Sequence, residues 1–226
     1  MKRIITYLVS ALMLLSLASC HKSSRIFSET AAERTEERIE LCRNALVARG
    51  TWVMEYFPDE DLRYGGWIYV LEFSPDYTVK VWFEGAGFIP QADPVTESEY
   101  KVELGTGPML KFCTNNDYIH FFSFPGGPNG GGYRGWGGDH EFTIMSISDN
   151  YDEIIMKGLK SFNRIRLTPL PGDETPEGYI AKVHASEKAV TRKSFDLCVN
   201  GKVIGTATRE TLPDFNNYER YYKSKI

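Results

Sequence analysis

His120 and His140 are the residues in this chain whose type best suits metal chemistry. His120 lies in the apolar run Ile119–Phe122, which we predict to be a strand, and Asp139 and Glu141 flank His140. Two imidazoles and a carboxylate can hold zinc when the segments that carry them are neighbours. The spacing is not that of a HExxH helix. His120 and His140 are therefore metal-ligand candidates, with a hydrogen-bonded surface histidine as the alternative.

A glycine-rich segment covers residues 124–139. A phosphate-binding loop precedes a helix and carries a lysine, whereas here a strand follows and no lysine is present, which argues against a nucleotide site. Tyr133, Arg134 and Trp136 are the ligand-binding candidates in this segment, because aromatic and arginine side chains dominate binding energy at interfaces. The alternative is a hairpin connection that binds nothing.

Three glutamates, Glu55, Glu72 and Glu84, lie in or beside predicted strands. A pair of carboxylates at about 5 Å, or at about 7–9 Å, can hydrolyse a glycosidic bond. No Gly-x-Ser-x-Gly nucleophile motif occurs. We therefore predict no catalytic residue and no cofactor, and a carboxylate or metal-dependent hydrolase is the alternative.

The N-terminus has the layout of an export signal. Met1-Lys2-Arg3 precedes an apolar run over residues 4–17, which is shorter than the roughly 20 residues that span a bilayer. Leu17-Ala18-Ser19-Cys20 then resembles the lipobox of bacterial lipoproteins. This resemblance implies that residues 1–19 are removed and that Cys20 becomes a lipidated N-terminus bound to the membrane. The alternative is an ordinary secretory signal.

The residue after Cys20 bears on the final membrane. His21 stands where an Asp would mark inner-membrane retention in such lipoproteins. We expect delivery to the outer membrane, and the sequence leaves open whether the protein faces the periplasm or the exterior.

Cys42, Cys113 and Cys198 form no CxxC pair, so neither a zinc knuckle nor a thioredoxin-like site is predicted. A disulfide is permitted outside the cytoplasm, although three thiols cannot all pair. We expect three small buried side chains.

The secondary structure changes period along the chain. Thr30 and Glu33 have capping-box spacing and predict a helix that ends at Gly50. Alternating apolar and polar residues then predict an antiparallel β meander up to Pro169, closed as a barrel or folded as a sandwich with the helix packed on it. Pro176 and Asn200-Gly201 predict a second helix and a hairpin, with no further strand over residues 218–222.

These elements predict a mainly β (α+β) protein with four segments. They are a signal peptide over 1–19, a tether over 20–28, a helix plus β domain over 29–171, and a helix-hairpin extension or truncated second domain over 172–226. A content of 42% hydrophobic residues excludes a disordered chain. The 26 basic residues against 30 acidic ones argue against a nucleic-acid partner.

Several motifs together resemble a family of uncharacterised Bacteroidetes lipoproteins, classed as domain of unknown function 4302. The matching segments are Trp52 to Pro58, Tyr64-Gly65-Gly66, Gly107 to Phe112, Ile119 to Ser123, Gly137 to Phe142 and Lys157 to Lys160. The resemblance implies an exported lipoprotein, often encoded beside nutrient importers, and implies no known reaction.

We therefore expect a non-enzymatic, lipid-anchored outer-membrane protein that binds a glycan, a peptide or an importer component. One alternative is the extracellular hydrolase described above. Another is a calycin-like carrier, which would hold a small apolar ligand inside a closed barrel.

Overall fold

The structure, a computed structural model, describes residues 29–58, 60–61, 64–125, 135–212 and 218–222. The predicted signal peptide over 1–19, Cys20 and the tether up to residue 28 lie outside the described residues. The chain divides into two compact units, Met1–Arg34 and Thr35–Ile226. No helix among the described residues is long and apolar enough to cross a membrane.

Helix α1 (Ala31–Arg49) begins and ends where the sequence predicts. At its start, the Thr30 N–H donates to Glu33 Oε2 at 2.6 Å, and the Glu33 N–H donates to Thr30 Oγ1 at 3.2 Å. The bond from the Thr30 N–H favours the ionised carboxylate and lowers the pKa of Glu33. Gly50 ends the helix with a φ of +67°, a left-handed conformation that glycine adopts without strain.

Eight antiparallel strands form a closed barrel in sequence order, which confirms the predicted β architecture and resolves it as a barrel. Strand β1 pairs with β8, so that Trp52 lies opposite Pro169 and Tyr56 opposite Ile165. The strands are β1 (Thr51–Tyr56), β2 (Trp67–Phe73), β3 (Thr78–Phe83), β4 (Thr96–Leu104), β5 (Pro108–Phe112), β6 (Glu141–Ile147), β7 (Ile154–Gly158) and β8 (Arg164–Pro169).

Side chains fill the barrel interior. Alternate positions of the strands point inward, as the pleat requires, and most of these side chains are buried. The largest of them include Trp52, Tyr56, Trp67, Tyr69 and Phe142. A calycin-like carrier needs an interior volume of its own, and large aromatic rings occupy that volume here.

The C-terminal half of α1 closes one end of the barrel. Cys42, Ala45 and Leu46 are fully buried in the core, and the Trp52 indole N–H donates to Leu46 O at 2.7 Å. The Arg49 guanidinium donates to Asn150 O at 2.6 Å, which fixes the helix to the β6–β7 turn.

The connection between β5 and β6 crosses the opposite end of the barrel. The predicted strand Ile119–Phe122 is wrong, because this segment forms a turn. Asn116 causes the difference: its Oδ1 accepts the N–H groups of Tyr118 and Ile119 at 3.1 and 3.2 Å. An Asn side chain that captures backbone donors in this way competes with a strand ladder. The turn places Tyr118, Ile119 and Phe122 in the core.

The C-terminal region contains a helix and a second sheet. Helix α2 (Pro176–Ala189) begins at the N-cap Thr175, as the sequence predicts, and contacts β2 and β3. Strands β9 (Ser194–Val199), β10 (Lys202–Leu212) and β11 (Tyr218–Tyr222) form a three-stranded sheet. The expectation that residues 218–222 lack a strand is wrong, because this tyrosine-rich segment, of a residue type enriched in strands, pairs with the second half of β10.

The three downstream cysteines are free thiols. Cys42 is buried, as expected. Cys113 and Cys198 are exposed, so the expectation of burial is wrong for both. Cys113 comes directly after β5, and Cys198 lies in the β9 edge strand, where few neighbours are available to cover a side chain.

Candidate functional site

The candidate site lies on the barrel rim, which we define as the loops that follow β1, β3, β5 and β7. These loops lie at the end opposite α1, because β1 enters the barrel directly from that helix. The longest of them joins β5 to β6 and carries the site residues predicted from the sequence. Loops held at one end of a rigid barrel are a common place for binding residues.

The structure brings His120 and His140 together. Their ring centroids are 4.5 Å apart, with the ring planes tilted by 33°. Both come from the β5–β6 connection, with His120 in the turn and His140 immediately before β6. The spatial condition for the predicted histidine pair is therefore met.

Hydrogen bonds at the Nδ1 atoms assign a tautomer to His140 but not to His120. His140 Nδ1 lies 3.3 Å from Ser123 Oγ, and the Ser123 hydroxyl donates its own proton to His120 O at 3.1 Å. Ser123 Oγ must therefore accept a proton from His140 Nδ1. His120 Nδ1 lies 2.9 Å from Asn116 O, which can only accept, and 3.2 Å from Asn116 N, whose N–H can only donate. The proton is therefore on Nδ1 in His140, which leaves Nε2 of that ring able to accept, whereas the contacts of His120 are compatible with either tautomer.

The environment keeps His140 neutral at physiological pH. Burial lowers the pKa of His140, and the neighbouring His120 ring lowers it further. A neutral imidazole with a hydrogen-bonded Nδ1–H is the form that binds metal ions through Nε2. Among the described residues, no group of three or more His, Cys, Asp or Glu side chains is placed to hold a metal.

The carboxylates beside His140 in sequence have structural partners instead. The buried Asp139 accepts through Oδ2 from the N–H groups of Lys160 and Ser161, at 2.8 and 2.7 Å. Ser161 Oγ also lies 2.9 Å from this atom. Glu141 pairs with Lys111 at 3.1 Å. Only the two histidines of this sequence cluster are therefore brought together.

Contacts of Asp139 fix the backbone immediately before His140. The Tyr56 hydroxyl bonds both the N–H and the carbonyl of Asp139, and Gly138 packs directly against it. A Cβ on Gly138 would lie 2.5 Å from the Tyr56 hydroxyl oxygen and 2.4 Å from Phe122 Cβ, so this close approach requires glycine. Tyr56 was not among the site residues predicted from the sequence, because its only signal is its inward position in β1.

The three candidates of the glycine-rich segment differ in outcome. Trp136 is only 8% exposed and packs on the Phe121 ring at a centroid distance of 4.9 Å, so its faces lie within the core. Tyr133 and Arg134 lie outside the described residues. The sequence analysis did not single out Phe124, whose side chain is 50% exposed on the same connection.

The three glutamates considered for hydrolysis have separate interactions. Glu55 pairs with Arg166 at 3.5 Å, and Glu72 lies opposite Lys80 in the β2–β3 ladder. Glu84 is buried and accepts the Ile68 N–H at 2.9 Å. These contacts stabilise the barrel wall.

A comparison with family models gives one match, described as "Domain of unknown function (DUF4302)", over residues 23–222. The match includes α1, the whole barrel and the C-terminal sheet. A comparison with curated proteins gives no match.

Proposed function

The chain belongs to the DUF4302 family, and on that premise we propose that it is a lipid-anchored binding protein of the bacterial outer membrane that holds its ligand at the barrel rim. The observation that carries this proposal is the pair His120 and His140, whose ring centroids lie 4.5 Å apart at the end of the barrel opposite α1. The interior is packed, so a ligand has to bind at the surface.

A glycan or peptide taken up as a nutrient suits this rim. The exposed Phe124 ring offers an apolar face, and the two imidazoles can exchange hydrogen bonds with hydroxyl or amide groups. Aromatic and polar groups that converge in this way bind both sugar rings and peptides. Tyr133 and Arg134 remain sequence predictions for the same connection, and an importer component is a further partner consistent with it.

Substitution of Cys20 tests the lipid anchor. Cys20→Ala should abolish incorporation of labelled palmitate and release the protein from the membrane fraction, because no acyl chain would be attached. The exposed Cys198 supplies the control, since Cys198→Ala should leave labelling and membrane retention unchanged. Membrane retention of the Cys20→Ala protein would contradict the anchor.

Binding at the rim is tested on arrays of bacterial and plant glycans and of peptides. Any probe retained by the wild-type protein should bind at least tenfold more weakly to a His120→Ala/His140→Ala/Phe124→Ala variant. Leu104→Ala is the matched control, because this exposed side chain ends β4 near the α1 end of the barrel. Equal loss in both variants, or no loss in either, would contradict a rim site.

The histidine geometry also favours a second candidate, a metal centre that supports hydrolysis. Catalytic zinc usually has three protein ligands and one open position for water, and the two imidazoles would supply two of those ligands. Calorimetric titration with Zn²⁺ should give one site that is lost in His120→Ala and His140→Ala. His184→Ala is the control, because His184 lies on α2. Unchanged zinc binding in both rim variants would exclude this candidate.

A further inference from the structure

We infer that the outer edge of β9, the side that faces away from β10, pairs with the same strand of a second copy of this chain. Among the described residues, the order β11–β10–β9 places β9 at the edge of the three-stranded sheet. A strand edge presents a row of backbone N–H and C=O groups that another strand can satisfy. An antiparallel pair of β9 strands related by a two-fold axis joins two such sheets into one and closes at two copies, because each edge is used once.

The backbone of β9 directs the polar groups of alternate residues outward. The Arg209 N–H donates to Lys193 O at 2.7 Å, so the carbonyl of Lys193 faces β10. Successive residues of an antiparallel strand direct their N–H and C=O groups to opposite sides. The groups that face away from β10 are thus those of Ser194, Asp196 and Cys198. An extended chain matches donors and acceptors at this spacing, which is the basis of binding by strand addition.

The described part of β9 has none of the usual features that protect a strand edge. The strand, Ser194–Val199, contains no proline, and the bulge of this hairpin lies in β10, between Val203 and Gly205. The charged side chain of Asp196 is held by β10, because Thr206 Oγ1 donates to Asp196 Oδ1 at 2.9 Å. Proline, bulges and projecting charges are the features that keep other strands away from an edge. The outer edge of β9 can therefore accept an approaching strand.

One face of β9 carries exposed apolar side chains. The exposed fraction is 39% for Phe195 and 52% for Val199, and the half-buried Leu197 lies between them on the same face. Exposed apolar residues that lie side by side mark interaction surfaces. The order Phe-x-Leu-x-Val is apolar at both ends and at the centre. Because this pattern reads similarly in both directions, β9 is complementary to an antiparallel copy of itself.

Leu197 lies on the two-fold axis in the register that we assign. Phe195 then lies opposite Val199 of the partner subunit, so that each apolar side chain of this face meets another apolar side chain. Asp196 lies opposite Cys198 of the partner subunit. These two residues direct their backbone groups outward, so they exchange both hydrogen bonds of an antiparallel pair.

The neighbouring registers are less favourable. A shift that places Asp196 on the axis sets two carboxylates directly opposite each other, and like charges in that position destabilise a strand pair. A shift that places Cys198 on the axis sets Phe195 opposite Gly201 in the hairpin turn, where the apolar contact is lost. The register with Leu197 on the axis avoids both costs.

Disulfide cross-linking tests the pairing and its register. The background replaces Cys20 and the two exposed cysteines by alanine, which leaves the buried Cys42. Leu197→Cys in this background should form a covalent dimer on oxidation. The two Cα atoms on the axis are expected about 4.5 Å apart, and a disulfide spans about 4.4–6.8 Å. Asp196→Cys is the matched control and should cross-link at least tenfold more slowly. A rate for Leu197→Cys no higher than that for Asp196→Cys would overturn the inference.

Sedimentation velocity over a range of protein concentrations tests the association itself. The full chain carrying Cys20→Ala should pass from monomer to dimer as its concentration rises. Cys198→Pro removes an outward N–H and keeps the bonds to β10, because proline is tolerated where the N–H of an edge strand faces solvent. The dissociation constant of the dimer should therefore rise at least tenfold in Cys198→Pro and stay unchanged in Cys198→Ala.

Two results of the sedimentation experiment would overturn the inference. One is a protein that stays monomeric at every concentration, which would leave the edge of β9 to a different partner. The other is a dimer that Cys198→Pro does not weaken, which would place the contact elsewhere on the chain. His120→Ala/His140→Ala should dimerise normally, so failure of this inference is distinct from failure of the rim proposal.

Discussion

The Tyr56 hydroxyl and the Asp139 backbone form two hydrogen bonds with each other. The hydroxyl donates to Asp139 O at 3.0 Å and accepts from the Asp139 N–H at 2.9 Å. One inward-facing residue of β1 thus satisfies both backbone groups of the residue that precedes His140. Burial raises the pKa of Tyr56, so the hydroxyl stays protonated and can make both bonds at any physiological pH.

Tyr56→Phe should destabilise the protein. The change leaves a buried N–H and a buried carbonyl without the hydroxyl, which costs about 1–3 kcal/mol in the free energy of unfolding. Urea denaturation measures this difference. Tyr77→Phe is the control, because the Tyr77 side chain is exposed. Equal denaturation midpoints for the two variants would contradict the role assigned to Tyr56.

Gly158→Ala should destabilise the protein, although the substitution adds only one methyl group. A Cβ at this position would lie 1.9 Å from Asn163 Oδ1 and 2.6 Å from Asp139 Oδ2, so the polar contacts around Asp139 would have to separate. Overpacking of this kind costs about 1–3 kcal/mol.

Gly172→Ala provides a matched comparison for Gly158→Ala. A Cβ on Gly172 meets no atom within 4 Å, and the thermal unfolding midpoint should therefore stay close to that of the wild-type protein. Similar unfolding midpoints for Gly158→Ala and Gly172→Ala would contradict the prediction, because they would show that the contacts around Asp139 rearrange at little cost in free energy.

Local signals predicted most of the elements. The Thr30–Glu33 capping box, the Asn200-Gly201 turn and the strand alternation each depend on neighbouring residues, so they are visible in the sequence. The pairing of β1 with β8 could not be predicted from the sequence, because apolar and polar residues alternate in the strands of a sandwich just as they do in a barrel. Whether a barrel or a sandwich forms depends on which strands, distant in sequence, pair with each other.

The candidate site was predictable only in part. The residue types of His120 and His140 suggested a pair, whereas the turn that brings them together depends on Asn116, which captures backbone donors. Trp136 is an aromatic residue in a glycine-rich segment, which suggested an exposed binding residue. In the structure its ring packs against Phe121 instead. The spacing of these residues in the sequence does not indicate that Trp136 packs against Phe121.

The stability of the protein should fall as the pH is lowered through the ordinary histidine range. The folded state holds the pKa of His140 below its usual value, so below about pH 6.5 the unfolded chain binds a proton that the folded chain does not. As the pH is lowered, the free energy of unfolding decreases until the pH falls below the pKa of His140 in the folded state. Above about pH 7.5 the contribution of His140 to stability is constant.

His140→Gln should remove that part of the pH dependence. Urea denaturation between about pH 4.5 and pH 8 measures the slope for both proteins, and NMR titration of the His140 ring gives its pKa directly. His21 and His184 are common to both proteins and cancel in the comparison, whereas the His120 ring, 4.5 Å from His140, has to be titrated by NMR in both. Identical slopes would contradict a depressed pKa.

The bond between Trp82 and Glu177 should control the opening of α2. Glu177→Ala removes the acceptor for the indole N–H and should lower the local opening free energy of α2 by about 1 kcal/mol. Glu177→Gln keeps an acceptor oxygen and should retain most of the protection. Hydrogen exchange resolved by peptide distinguishes α2 from the barrel strands, whose exchange should not change. Equal exchange of α2 in both variants would contradict this role.

The ladder between Trp52–Tyr56 and Ile165–Pro169 joins the first strand of the barrel to the last. Until the last of these residues is available, the first strand lacks one neighbour and presents an open edge that can template aggregation. Contacts so distant in sequence form slowly. A chain interrupted before Arg164 would therefore leave two unprotected edges, and we expect such fragments to depend on chaperones for solubility.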